Sequence, residues 1–173
     1  MKLVMGLMLA FLVLIAGCTF NNGLTGSTVI DPDDKCSSLE GGIKDDCYLE
    51  EKKCSKIERE SVRSICVSEL ALQKQDPKVC DLINSDSIKG NCLFGLSKEL
   101  NNLDLCGEIT DLYWKDNCHF EFATVNNEEL FCSAINDAER QQKCFNEIAL
   151  STKNPELCNM IPGTKGEICI YHV

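Results

Sequence analysis

The 173-residue chain carries 17 basic and 27 acidic side chains, a formal charge of −10, and 13 cysteines. Its length suits one domain or one short repeat array, and its acidic balance argues against nucleic acid and against a surface lying flat on anionic lipid. In a reducing cytosol so many thiols would be metal-binding or catalytic; in an oxidising compartment they would be disulfides.

The chain begins Met1-Lys2, runs through an apolar stretch from Leu3 to Ala16 broken only by Gly6, and reaches Gly17-Cys18. As a helix that stretch would span about 21 Å at roughly 1.5 Å per residue. A hydrocarbon core is about 30 Å thick, so a permanent transmembrane helix is not expected. A basic start, a short apolar segment and small residues at its end describe a secretory signal instead. The residues Ile15-Ala16-Gly17-Cys18 resemble the lipobox of prokaryotic lipoproteins. That resemblance covers the first 18 residues. It implies that residues 1–17 form a cleaved signal peptide and that Cys18 carries a diacylglyceryl thioether. Two acyl chains anchor stably where one binds only marginally. The alternative is an ordinary signal cut elsewhere, with Cys18 a spare thiol. Removing residues 1–17 takes away Lys2 and no acidic residue, leaving a formal charge of −11, and 12 cysteines remain besides Cys18.

Residues 18–34 form the expected lipidated tether. From Thr19 to Asp34 it reads "TFNNGLTGSTVIDPDD", rich in Gly, Asn, Ser, Thr and Asp with little periodicity. Such composition describes a flexible spacer; the alternative is an arm packed on the domain. The acidic clusters Asp31 to Asp34 and Asp45-Asp46 lack the alternating oxygen ligands of a calcium loop. They are read as solvated charge and helix caps.

Residues 35–173 are predicted to form a Cys-paired α-hairpin repeat domain. Cys54, Cys80, Cys106, Cys132 and Cys158 recur every 26 residues. Cys66, Cys92, Cys118 and Cys144 each follow their partner by 12 residues, and Cys169 follows Cys158 by 11. Cys36 and Cys47 form a further pair 11 apart, only 7 residues before Cys54, so the first unit is shortened. A fixed period of this kind marks stacked supersecondary units. Apolar columns keep the same step: Leu39, Ile57, Ile83, Ile109, Ile135 and Ile161 after the first cysteines; Leu70, Leu96, Phe122, Ile148 and Val173 after the second. Small residues follow the latter at Ala71, Ser97, Ala123 and Ala149. Spacings of three and four put these side chains on one helical face. Asp76-Pro77 and Asn154-Pro155 read as helix starts. Asn84-Ser85-Asp86 breaks one helix and caps the next, which runs to about Leu100. Each unit is thus a short and a longer helix, and Pro162-Gly163 tightens the last turn.

Hairpin geometry chooses the pairing. Cys80 and Cys92 lie equally far from the turn near Asp86 and so sit at one height on antiparallel helices, within the Cα separation of about 4.4–6.8 Å a disulfide needs. Joining Cys92 to Cys106 instead leaves an offset of about 9 Å along the axes. The expected links are Cys36–Cys47, Cys54–Cys66, Cys80–Cys92, Cys106–Cys118, Cys132–Cys144 and Cys158–Cys169. Each closes a loop that stabilises by roughly 3 kcal/mol in the chain-entropy model.

Zinc ligands usually stand two to four residues apart, whereas no two cysteines here are closer than 7. No catalytic or metal-ligating residue is assigned, and no cofactor is expected beyond the lipid on Cys18. His119 falls in a column of apolar residues and is read as core or half-buried; His172 falls in an outward column. Glu69, Glu121 and Glu147 are read as a solvated stripe, and Trp114, aligned with Val62 and Ile88, as packing. Tyr113 aligns with Ser61, Ser87 and Glu139, which suggests exposure at a hairpin turn and makes it the candidate partner contact.

The expectation is an all-α short solenoid of six disulfide-stapled hairpins, the first truncated. Repeat arrays generally present an extended surface to a protein or peptide. The functional expectation is therefore a membrane-anchored extracytoplasmic lipoprotein, on the outer face of the cytoplasmic membrane or on another envelope membrane, acting as a non-catalytic interaction module. The alternatives are a structural cell-envelope protein without a specific ligand, and an enzyme, which would need a polar constellation not visible in the residues.

Overall fold

The computed structural model describes residues 34–173. The expected signal segment, Cys18 and the remainder of the tether through residue 33 lie outside the described residues. Among those described, the chain is helix and turn with no strand. A turn over residues 35–38 leads into α1 (Gly41–Glu50), and a 3-10 turn (Cys54–Lys56) leads into α2 (Glu60–Lys74). The 3-10 turn Pro77–Leu82 precedes α3 (Asp86–Glu99), α4 (Asp104–Glu108) precedes α5 (Leu112–Asn126), and α6 (Glu129–Cys132) precedes α7 (Ala138–Thr152). A last 3-10 turn (Pro155–Met160) precedes α8 (Thr164–His172). Every unit is therefore a short arm followed by a long helix, and each long helix packs on the next unit, giving an all-α solenoid of six hairpins.

The ends of these elements follow from local chemistry. Asp76 and Asn154 accept the amides of Lys78 (3.0 Å) and Glu156 (3.1 Å), with proline at the next position. Ser85, Asp111 and Asp137, each five residues after a first cysteine, cap the long helices by accepting the amides of Ile88, Trp114 and Arg140. Such caps satisfy N–H groups that have no partner inside the helix. At the far end Gln75, Asn101, Asn127 and Lys153 adopt left-handed backbone, φ 48–56°. The following amides of Asp76, Asn102, Glu128 and Asn154 return to the carbonyls of Ala71, Ser97, Ala123 and Ala149. The small-residue column thus closes α2, α3, α5 and α7 with the same six-residue motif.

Six disulfides join the two arms within each unit: Cys36–Cys47, Cys54–Cys66, Cys80–Cys92, Cys106–Cys118, Cys132–Cys144 and Cys158–Cys169. Their Cα atoms lie 5.5–6.0 Å apart, as equal height on paired helices requires. Crosslinks in this number belong to oxidising surroundings. No described helix is long and apolar enough to cross a membrane.

The core is the stack of columns. Ile57, Ile83, Ile109, Ile135 and Ile161 are buried, as are Leu96, Phe122 and Ile148. Leu39, Leu70 and Val173, in the first two units and the last, are only partly covered. At Ser97 the small column lies against the next unit's disulfide, its Oγ 3.2 Å from Cys118 Sγ. Buried residues form two clusters, Cys36 to Phe122 and Ala123 to Cys169, that meet at half-buried Phe131.

Two acidic residues depart from the expectation of solvated charge. Asp34, assigned above to the tether, is buried; it accepts from the Cys36 amide, the Tyr48 hydroxyl and, at 2.7 Å, the Lys56 ammonium. Asp45 is also buried and reaches into the next unit, accepting the amides of Glu58 (2.8 Å) and Arg59 (3.1 Å) and the Arg59 Nε (2.8 Å). These donors lie just ahead of α2, whose N-cap, Arg59, brings no side-chain acceptor of its own. Hydrogen bonding makes burial of these carboxylates tolerable.

A candidate interaction groove across three units

The long helices meet their successors along an outer seam, and its side chains change from unit to unit. Between α3 and α5 the seam is aromatic: Phe94 and Trp114 rings lie 5.7 Å apart. Gly90 makes this possible, since a Cβ there would stand 3.1 Å from the Trp114 Cβ. Between α5 and α7 it is cationic on aromatic. The Arg140 guanidinium lies 5.0 Å over the Tyr113 ring while its Nη1 donates to the Tyr113 carbonyl at 3.2 Å. The Lys143 ammonium lies 5.2 Å over Phe120. The ring quadrupole attracts such cations, so both side chains are held in place. Between α7 and α8 the seam opens, and Lys165 and Ile168 face Glu139 and Asn146 across a gap.

Asp116 sets the α5–α7 geometry from beneath. Its carboxylate, buried, accepts the Asn136 amide (2.9 Å), the Asn136 side chain (3.0 Å) and the Asp137 amide (2.8 Å). Burial opposes its charge, but these donors and nearby Arg140 outweigh it and hold the carboxyl below the usual range. Asp45 and Asp116 stand in the same place, two residues before a second cysteine, and grip the same hinge of the following unit. Asp137, so gripped, caps α7 and fixes where Arg140 begins.

Three adjoining depressions follow this seam. The first, about 370 Å³, lies among Leu112, Tyr113 and Arg140; the second, also about 370 Å³, among Asn117, Phe120 and Lys143. The third, about 320 Å³, lies among Gln142, Asn146, Lys165 and Ile168. Asp137 and Arg140 border the first two, and Glu139 and Lys143 the last two, so they run together as one open groove.

The residues singled out in the sequence fall in different places. The twelve paired cysteines are structural, and Cys18 lies outside the described residues. Tyr113 is 58% exposed at the start of α5, edge-on to Trp114, and walls the groove. Trp114 is half-buried packing. His119 is half-buried with its Nδ1 enclosed and unpartnered; burial, reinforced by Lys115, pushes its pKa down. His172 is exposed, Glu121 pairs with Lys98 at 2.8 Å, and Glu147 with Lys143 at 3.6 Å. Sequence reasoning passed over Arg140, Lys143, Lys165 and Asp116. A signal existed for Arg140: it interrupts the column Val62, Ile88, Trp114 with a charge. No family model matches this chain, and comparisons with curated proteins and with solved structures find no match either.

Proposed function

We propose that the protein is a lipid-anchored extracytoplasmic module that binds another protein or a peptide without catalysis. The lipobox resemblance at Ile15 to Cys18 supplies the anchor, and the disulfides suit the compartment. The observation that carries the binding reading is the groove: continuous across three units, walled by exposed Tyr113, with Arg140 and Lys143 pre-positioned on aromatic rings. Pre-positioned side chains lose little freedom on binding, which favours association.

Two measurements test the proposal in the organism's own cells. Labelled fatty acid should enter the wild-type chain and not Cys18→Ser, which should appear in the soluble fraction. A photo-crosslinking amino acid placed in turn at Tyr113, Ile65 and Leu130, all exposed, should give a discrete adduct at one site that saturates with partner abundance. Absence of an adduct at every site would favour a purely structural envelope protein, and an unlabelled, soluble wild type would remove the anchor.

A further inference from the structure

We infer that copies of this chain stack head to tail, the outer face of α8 in one copy seating on the outer face of α1 in the next. The inference goes beyond the partner-binding reading and does not depend on it. It follows from the repeat. Each long helix turns one face to the preceding unit and another to the following unit, and the residues that make those contacts stand at fixed distances from the second cysteine.

Toward the following unit two positions make the contact. Two residues before the second cysteine stand Asp45, Ser64, Gly90, Asp116 and Gln142, all buried or half-buried. From there Asp45 and Asp116 accept amides just ahead of the next long helix. In α8 the same position holds Glu167, exposed and with no partner for its carboxylate among the described residues. Two residues after the second cysteine stand Leu49, Ser68, Phe94, Phe120 and Asn146, each half-buried. Phe94 meets Trp114 of the following unit at 5.7 Å, and Phe120 lies under Lys143 at 5.2 Å. Tyr171, in that position, is 87% exposed.

The face toward the preceding unit shows the reverse gap. Four residues before the second cysteine stand Val62, Ile88, Trp114 and Arg140, each half-buried, whereas Ile43 is 70% exposed. Cys66, Cys92, Cys118 and Cys144 are buried, with Ser97 of the preceding unit resting on Cys118, while Cys47 is only partly covered. Glu40, N-cap of α1 in the place of Arg59 and Asp137, has an amide without an acceptor among the described residues.

The two open faces complement each other. Setting α8 ahead of α1, as α5 is set ahead of α7, seats Tyr171 on Ile43 and aims the Glu167 carboxylate at the Glu40 amide. Pairing α8 with α8 instead opposes two carboxylates, and pairing α1 with α1 supplies no acceptor. End units of a repeat array ordinarily need a polar outer face for solubility; Ile43 and Tyr171 put apolar surface there. A head-to-tail contact that does not close into a ring grows as a filament. One hairpin face is small beside the about 1,200–2,000 Å² of a stable complex, so the contact is weak in solution, and the anchor proposed above strengthens it by concentrating copies on one membrane. A net charge of −10 makes copies repel, so added salt favours stacking.

The test places an aromatic photo-crosslinking amino acid at Tyr171 of the purified, oxidised chain, irradiated in solution at rising concentration. A ladder of dimers and larger species should form, stronger at about 1 M salt, where the screening length is ~3 Å. Mass mapping should join position 171 to the α1 peptide that holds Ile43. Ile43→Glu should cut the ladder roughly tenfold, Glu167→Gln should cut it less, and Leu130→Glu, on α6 and away from both faces, should leave it unchanged. Ile43 and Leu130 are both exposed, so these variants should unfold at the wild-type temperature. Position 171 joined to α8 of another copy or to residues 19–33, no intermolecular adduct at any concentration, or a ladder indifferent to Ile43→Glu would each overturn the inference. An unacylated Cys18 would remove the anchor and leave this result in solution unchanged.

Discussion

The first two units and the groove units use charge in opposite ways. Around Asp34 and Asp45 three cations are turned inward: Lys53 and Lys56 onto Asp34, Arg59 onto Asp45. Around α5 and α7 the cations lie outward on aromatic rings, and the buried carboxylate, Asp116, is satisfied by neutral N–H groups. The reason lies in length. Helix α1 has 10 residues against 15 in α2, α5 and α7, so the first unit offers little apolar surface to its neighbour. Ion pairs and hydrogen bonds supply the cohesion that burial supplies later. Where burial suffices, as between α5 and α7, charge is released for the surface.

The largest way to break this contrast is to open the unit between the two regions. Replacing Cys80 and Cys92 with serine should lower stability by about 3 kcal/mol in urea unfolding. Because a repeat array is held by nearest-neighbour terms, it should also split one transition into two.

Removing the clasp beneath the groove comes next. Asp116→Ala strands the amides of Asn136 and Asp137 and should cost about 2–3 kcal/mol, by the same measurement. Asp116→Asn, which keeps an acceptor, should cost less. If Asp116→Ala were neutral, the grip on the hinge would not be what holds α7 in register.

Acid sharpens the comparison further. The Lys56 ammonium beside Asp34, helped by the Cys36 amide and Lys53 against the cost of burial, lowers its carboxyl to about 2. A lowered carboxyl contributes stability above its ordinary pKa of about 3.9, and that stability is lost as pH falls toward the folded value. Between about pH 4 and 2 the wild type should therefore lose thermal stability more steeply than Asp34→Asn. Lys78→Gln, whose exposed group does not titrate there, should leave the acid slope intact. Parallel slopes for wild type and Asp34→Asn would mean the Asp34 pairs contribute nothing.

The smallest effect is a gain. Lys153 holds left-handed backbone at φ 54° without being glycine. Lys153→Gly should stabilise by about 0.5–1 kcal/mol, the relief of Cβ strain being partly offset by a freer unfolded chain. No gain would mean the following helix-closing bonds already absorb the strain.

What the sequence determined by itself was everything decided within one unit. The 26-residue step, the short and long arms, the caps at Asp76 and Ser85 and the choice of Cys80 with Cys92 depend on residues less than a repeat apart, read through helix geometry. Covalent closure then left little for the rest of the molecule to alter. Tyr113 was legible as exposed for the same reason, its place at the start of a hairpin's second arm. What only the tertiary structure decided was which side of one long helix meets which side of the next. That contact sets Arg140 on Tyr113, 27 residues away, and sends Asp116 to an amide 20 residues on. The acidic clusters Asp34 and Asp45 look like solvated charge along the chain, because composition cannot show that donors from the next unit converge on them. Columns record periodicity within a helix; how far neighbouring helices rotate and slide is fixed by packing between units, and the groove exists only at that level.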